Sequence, residues 1–372
     1  MSTDGSLSAG GQAEPDARAA IPGFRVARST RMHLYVLVVS LIIVVSLVSV
    51  PFWAQVGTTR TLITLFGLIA LAQMWNLLAG FAGLISVGQQ AYIGIGAYGV
   101  WLFADEFHLH PFIAVAAAGA LAAIIALPIA PLLFRLRGGY FAIGTWVFAE
   151  VIRITVSNIQ ATGGGSGKTI VSAALLPIDT RIYGTYWVGL GVAVGSILIV
   201  YLLLRSKVGL ALTAIRDNDL AAQSSGVNVF RSKLIVYVVA AFGCSAMGAV
   251  VALNLLRIQP AASFSVNWTA FAIFIVVIGG LGSIEGPILG AVLYFVLQQT
   301  LSQYGSTYFL LLGLLAVIMA TKVPRGLWGL VVARWDLHLF PVRRGLVMSE
   351  PSAPPGQAAA VAKEPGPTAK PA

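Results

Sequence analysis

Charge is what this chain has least of. Only 10% of its 372 residues are Asp, Glu, Lys or Arg, where soluble domains carry about 25%. That shortage, beside 58% hydrophobic residues, excludes an ordinary water-soluble domain. A single cysteine, Cys244, rules out an internal disulfide and a thiolate metal cluster. Histidines number four: His33, His108, His110 and His338. His108 and His110 follow Asp105 and Glu106 in a short loop, and their loose spacing fits a solvated turn better than a metal site. The net charge of +10 does not point to nucleic acid, because the basic residues stand beside apolar runs rather than on a soluble domain.

What is there is a succession of apolar runs. A membrane helix needs about 20 residues. Spans are expected over 34–53, 61–80, 83–104, 112–134, 140–159, 186–204, 234–256, 269–284, 287–303 and 307–322. The expected fold is therefore an all-α polytopic membrane protein of about ten transmembrane helices. Eighteen of the 23 basic residues then lie inside and four, Arg60, Lys168, Arg181 and Arg257, outside. Basic excess marks the cytoplasmic side, so both termini are expected there. Residues 1–33 read as a basic disordered start, 34–330 as the membrane domain, and 331–372 as a mostly disordered Pro/Ala-rich tail. Ten spans divide into two five-helix halves, inverted relative to each other because five is odd, a plan common among transporters.

Glycine interrupts the third and eighth of these spans, in GLISVGQQAYIGIGAYG (83–99) and IGGLGSIEGPILGA (278–291). Gly94, Gly96, Gly279, Gly280 and Gly282 either let helices approach closely or mark broken helices along a polar path. Gln73, Asn76, Gln89, Gln90 and Tyr92 gather on the second and third spans, as lining for such a path or as hydrogen-bonding glue between helices. Glu150 and Arg153 are charged within the fifth span, which makes Glu150 a further path candidate. Three residues apart on one helix face, they can also satisfy each other, and a mainly structural pair is the favoured reading. Trp53, Trp101, Trp187 and Trp268 fall near span ends and suit the membrane interface. TGGGSGKT (162–169) imitates a phosphate-binding loop, but Thr162 stands where the first glycine is required.

The one long charged stretch between apolar runs is Arg205 to Lys233. Each of its charges would cost several kcal/mol in hydrocarbon, so the stretch is expected in water on the cytoplasmic side. Asn218 can cap a short helix over 219–225, and Gly226 can end it in a left-handed turn. Two turns do not hold alone in water. The helix therefore packs on its own chain or presents Leu220, Ala221 and Ala222 to a partner, and the residues do not choose between these.

Six blocks of sequence together resemble one family. They are GLISVGQQAYIGIGAY (83–98), GGYFAIGTWVFAEVIR (138–153), TGGGSG (162–167), AIRDNDLAAQSSGVNVFRSKL (214–234), VIGGLGSIEGPILGA (277–291) and VPRGLWG (323–329). Their order and spacing are similar to those of LivM-type permease subunits of branched-chain amino acid ABC importers. The resemblance implies that 205–233 is the loop coupling the permease to an ATPase, with Arg216, Asp217, Asp219, Ala221, Ala222 and Gly226 at matching positions. Asp219 stands where glutamate is usual, Lys168 where an apolar residue is typical, and 240–249 is a looser small-residue run. The partners implied are a homologous LivH-type permease, two ABC ATPase subunits, a periplasmic substrate-binding protein and the lipid bilayer of the bacterial inner membrane. The implied cargo is leucine, isoleucine or valine; related permeases carry urea, short amides or other amino acids. ATP and magnesium would sit on the ATPases, leaving this chain without a cofactor or chemistry of its own. An ion-coupled secondary transporter, with Glu150 as its handle, is the competing class.

Overall fold

The computed structural model describes residues 24–27, 30–301, 303, 307–323, 325–335 and 345–348. Of the expected disordered ends, residues 1–23, 28–29, 336–344 and 349–372 lie outside them. Two compact units are present. In one, β1 (Phe24–Ala27) pairs antiparallel with β4 (Gly345–Met348), Phe24 opposite Met348. These two short strands lie within the ends expected to be mostly disordered. Phe-Arg-Val-Ala and Gly-Leu-Val-Met carry the β-branched and bulky residue types that suit a strand.

The second unit, residues 31–342, is built from helices. In chain order they are α1 (Thr30–Ser49), α2 (Val56–Asn76), α3 (Gln89–Trp101), α4 (Pro111–Leu133) and α5 (Gly139–Asn158). Then come the short α6 (Val171–Ala174), α7 (Ile178–Arg205), α8 (Lys207–Asp217), α9 (Asp219–Ser224) and α10 (Val229–Leu255). After these follow α11 (Pro260–Ser263), α12 (Asn267–Gly279), α13 (Glu285–Leu301), α14 (Thr307–Lys322) and α15 (Gly326–Trp335). Single π-helical turns extend α2 through Leu77–Phe81 and α3 through Leu102–Glu106.

Among the described residues six helical stretches are long and apolar enough to cross a membrane: 56–81, 111–133, 139–158, 178–205, 229–255 and 260–279. A seventh results if Leu310–Lys322 and Gly326–Arg334, meeting at 44°, count as one bent span. The third and eighth expected spans are shorter than foreseen. The chain gives residues 82–88 to irregular backbone before α3, and α12 ends at Gly279.

Burial sorts the helices. From Gly67 to Trp101 nearly every residue of α2 and α3 is buried, and so is most of α10, so these helices are enclosed on all sides. Outer helices instead show apolar side chains, as Leu41 and Ile42 do on α1 and Ile143 and Val151 on α5. An apolar outer surface is what hydrocarbon requires.

Small residues let the inner helices touch. A Cβ on Gly96 would overlap the carbonyl of Ser245, and one on Gly248 the carbonyl of Ile93. On α4, Ala114, Ala118, Ala122, Ala126 and Ala130 repeat every fourth position and are fully buried. Spacing of four keeps them on one face. That face meets α3, where a Cβ on Gly99 would stand 2.9 Å from Ala118 Cβ. It also meets α10, where Ser245 Oγ donates to Ala118 O at 2.8 Å. Without a hydrophobic driving force between helices in lipid, such close contact is what holds them together.

Candidate coupling segment and translocation path

Residues 206–228 fold as α8, α9 and a closing turn. Ser206 caps α8 by accepting from Val208 N, and Asn218 Oδ1 caps α9 by accepting from Leu220 N at 2.9 Å and Ala221 N at 3.1 Å. The helix ends where Gly226 takes φ +81°. There Gly226 N donates to Gln223 O and Val227 N to Ala222 O, a paired C-terminal cap that occupies two otherwise orphaned carbonyls. Ile215, Ala222 and Val229 form a separate small core, sealed by Ala211, Ala214 and Val227. Lys233 Nζ donates to Asp219 Oδ2 at 2.6 Å. This local core is how six residues stay helical when isolation would melt them.

One expectation here is corrected. Ala222 does not belong to an outward face with Leu220 and Ala221, since it is 2% exposed and packs on Ile215. Leu220 is the projecting residue, 72% exposed, and Ala221 lies beside it. In a helix of 3.6 residues per turn only one stripe can face inward, and Ala222 takes it.

The glycines divide into two groups. Gly94 and Gly96 lie inside the unbroken α3, which corrects their reading as helix breaks. A Cβ at Gly94 would overlap the ring of Phe264, so both positions serve close packing. The break itself comes earlier, where 82–88 enters the bundle as irregular chain. Its backbone is paired inside the protein: Val87 N donates to Thr145 Oγ1 at 3.0 Å, Gly88 N to Ser86 Oγ at 3.3 Å, and Ser86 O accepts from Trp75 Nε1 at 2.9 Å. Irregular backbone at membrane depth is tolerated only where protein or water satisfies it in this way.

Gly279 closes α12, while Gly280 (φ +131°) and Gly282 (φ +75°) lie in the second break, between α12 and α13. These conformations favour glycine. One break precedes α3 and the other follows α12. They are nevertheless neighbours. Asn76 Oδ1 accepts from Gly282 N at 2.9 Å and its Nδ2 donates to Ser283 O at 2.8 Å, while Gln73 Nε2 donates to Ile284 O at 2.6 Å. Both amides are fully buried. Gln73 and Asn76 thus clamp the second break. Asn76→Ala leaves the partly buried N–H of Gly282 and C=O of Ser283 unpaired, at up to about 1–3 kcal/mol each. Thermal unfolding of the detergent-purified protein is expected to shift down accordingly.

The remaining candidates form a buried polar layer at the start of α3. Gln89 Nε2 donates to Ser86 Oγ at 3.2 Å and its Oε1 accepts from Cys244 Sγ at 3.3 Å. Gln90 Oε1 accepts from Thr269 Oγ1, and Tyr92 OH donates to Tyr237 OH at 3.0 Å. The layer joins α3 to α10 and α12. Glu150 is elsewhere, on α5, half-exposed and held by Arg153, whose Nε donates to Glu150 Oε1 at 2.9 Å.

At the far end of α10 from α9, the loop 159–177 is ordered. Gly163, Gly164 and Gly167 take positive φ, and β2 (Lys168–Thr169) pairs with β3 (Arg257–Ile258). Lys168 Nζ lies 4.2 Å from the ring centroid of Trp101 and 3.8 Å from Glu106 Oε1. The lysine that imitated a nucleotide motif is therefore engaged by an aromatic face and a carboxylate. Asp105 caps α6, accepting from Val171 N and Ser172 N at 2.9 Å each. His110 Nδ1 accepts from Phe112 N at the start of α4.

A model of the family described as "Branched-chain amino acid transport system / permease component" matches residues 55–321, which contain both breaks, the alanine ladder and the segment around α9. The chain belongs to this permease family. Within it, the chain is similar to the high-affinity branched-chain amino acid transport system permease protein LivM of Escherichia coli K12, at 29% identity over 304 residues, 74% of this chain and 71% of that one. The corresponding LivM of Salmonella typhimurium LT2 matches equally, at 29% over 304 residues. The ribose import permease protein RbsC of Haemophilus influenzae is 30% identical over 124 residues, 32% of this chain and 38% of its own. These likenesses agree with the LivM-type resemblance carried by the sequence blocks. As a permease of this family the chain is a multi-pass membrane protein of a transport system.

Proposed function

We propose that this permease is one membrane subunit of an ATP-driven importer of branched-chain amino acids, leucine, isoleucine or valine, in the bacterial inner membrane. Ten helices, α1–α5, α7, α10 and α12–α14, cross the bilayer in two five-helix halves, with both termini in the cytoplasm. A LivH-type permease completes the pathway, a periplasmic binding protein delivers the amino acid at the end bearing the 159–177 loop, and two ATPase subunits bind ATP and magnesium. The observation that carries this reading is α9. An exposed helix with its own small core presents one large apolar residue, Leu220, which is 72% exposed. Exposed Leu on a rigid, capped projection suits insertion into a partner's groove. Closure of the ATPases would move α8 and α9 together and open the pathway alternately to each side.

The test is uptake of radiolabelled leucine into proteoliposomes. Uptake should require ATP and the companion ATPases and persist with a protonophore. Uptake without ATPases that collapses with the protonophore would instead fit an ion-coupled carrier. In the same assay Glu150→Gln should leave uptake within about twofold, since its partner Arg153 is a local helix neighbour of the kind that contributes little.

A further inference from the structure

Between α9 and the body of the permease one side chain bridges two elements far apart in sequence. Arg216, in the last turn of α8, donates from Nη1 to the carbonyl of Gly80 at 3.2 Å, while its Nε lies 3.7 Å from Asp217 Oδ1. The guanidinium is thus tied by one hydrogen bond to a backbone carbonyl 136 positions away, with the carboxylate of its sequence neighbour alongside. Gly80 in turn touches the second break. A Cβ there would meet Gly282 N at 2.7 Å and Gly282 Cα at 3.0 Å, and a Cβ on Gly282 would meet Arg216 Nη1 at 3.3 Å. The same break is tied to Gly80's own helix by Asn76. Beyond it, Ser283 Oγ accepts from Gly286 N at 3.1 Å and so caps α13. On the other side a Cβ on Gly280 would meet Arg325 O at 2.9 Å.

We propose that Arg216 is a positioning residue, a strut that carries displacement of α8 and α9 through Gly80 to the α12–α13 break and hence to the start of α13. This rests on the reading in which α9 docks on an ATPase, and assigns Arg216 to the permease side of that joint. Its target is an interruption between two helices. The break has two glycines at positive φ and separates α12 from α13, and Asn76 and Gln73 hold it to the end of α2, next to Gly80. A lever that ends on an interruption between two helices is an arrangement by which a small shift at one site becomes a rotation at another.

Two measurements on the reconstituted full complex test this. First, Arg216→Gln should fail in coupling: ATPases still co-purify, but leucine imported per ATP hydrolysed falls about tenfold or more, the size of an ordinary coupling free energy. Arg216→Lys, which keeps the charge and N–H donors for the Gly80 carbonyl, should recover part of it. An unchanged ratio overturns the proposal, and loss of co-purification does so as well, because Arg216 would then be holding the ATPase. Second, spin labels at the exposed positions Thr213 and Leu281, in a chain whose native Cys244 is buried, report the joint without touching Arg216. Their separation should stay within about 2 Å between nucleotide-free and ATP-bound states, while each moves relative to a label at Leu175 in the far loop. A one-turn slip of about 5 Å between 213 and 281 would contradict the strut. If the unaltered chain retains no ATPase at all, the importer reading falls first and the strut with it.

Discussion

Gly96→Val is expected to give no folded permease. The position faces the backbone of α10, and any Cβ there would overlap Ser245 O, which cannot rotate away as a side-chain tip could. Relief requires α3 and α10 to separate. That would also break the Gln89–Cys244 and Tyr92–Tyr237 contacts and the reciprocal fit of Gly248 on Ile93 O. Overpacking of an adaptable core costs about 1–3 kcal/mol, and a backbone overlap at an enclosed helix pair belongs to the rarer class above about 4 kcal/mol. Size-exclusion chromatography of the detergent extract should show aggregate and little monodisperse protein. Gly191→Ala is the control: nothing lies within 4 Å of a Cβ there. Its elution should be unchanged, with stability raised by up to about 1 kcal/mol from helix propensity alone.

Leu220→Asp is expected to abolish ATP-driven uptake while leaving the permease folded. Leu220 makes no part of the small core under α9, so the substitution costs the permease little. At a partner's apolar groove it would remove a buried anchor and place an unpaired charge there. Residues of that kind are worth about 2–4 kcal/mol or more at an interface, a loss of about 30-fold to 1,000-fold in affinity. Co-purification of ATPase subunits with the permease reads this out. Ala222→Asp is the informative contrast, because it drives a charge into the core with Ile215 and Val229. It should unfold α9 itself and lower stability as well as docking.

Local signals in the sequence were the reliable ones. Asn218 as cap and Gly226 as left-handed stop specify α9 to within a residue, because both act through hydrogen bonds closed inside a few positions. Long apolar runs mark the helices for the same reason. What could not be read was which face each element turns to its neighbours. Ala221 and Ala222 are identical in sequence, yet one is exposed and the other is in the core, because Ile215 and Val229 lie under only one of them. Gln73 and Asn76 were legible as a polar pair on one helix, but their partners lie more than 200 positions away, at 282–284. The alanine ladder of α4 recurs at every fourth position, but alanine carries no polar signal to say which helices it meets. Gly94 and Gly96 stand in the same run as Gly83 and Gly88, and only tertiary contact separates packing glycines from those at the break.

The most direct test of the account is the side of the membrane on which Leu220 is found. A Leu220→Cys chain offers a single exposed thiol, since Cys244 is buried. A membrane-impermeant maleimide should label it in inside-out vesicles stripped of ATPase, lose access when the ATPase is restored, and never label it in intact spheroplasts. Labelling in intact spheroplasts would contradict the account.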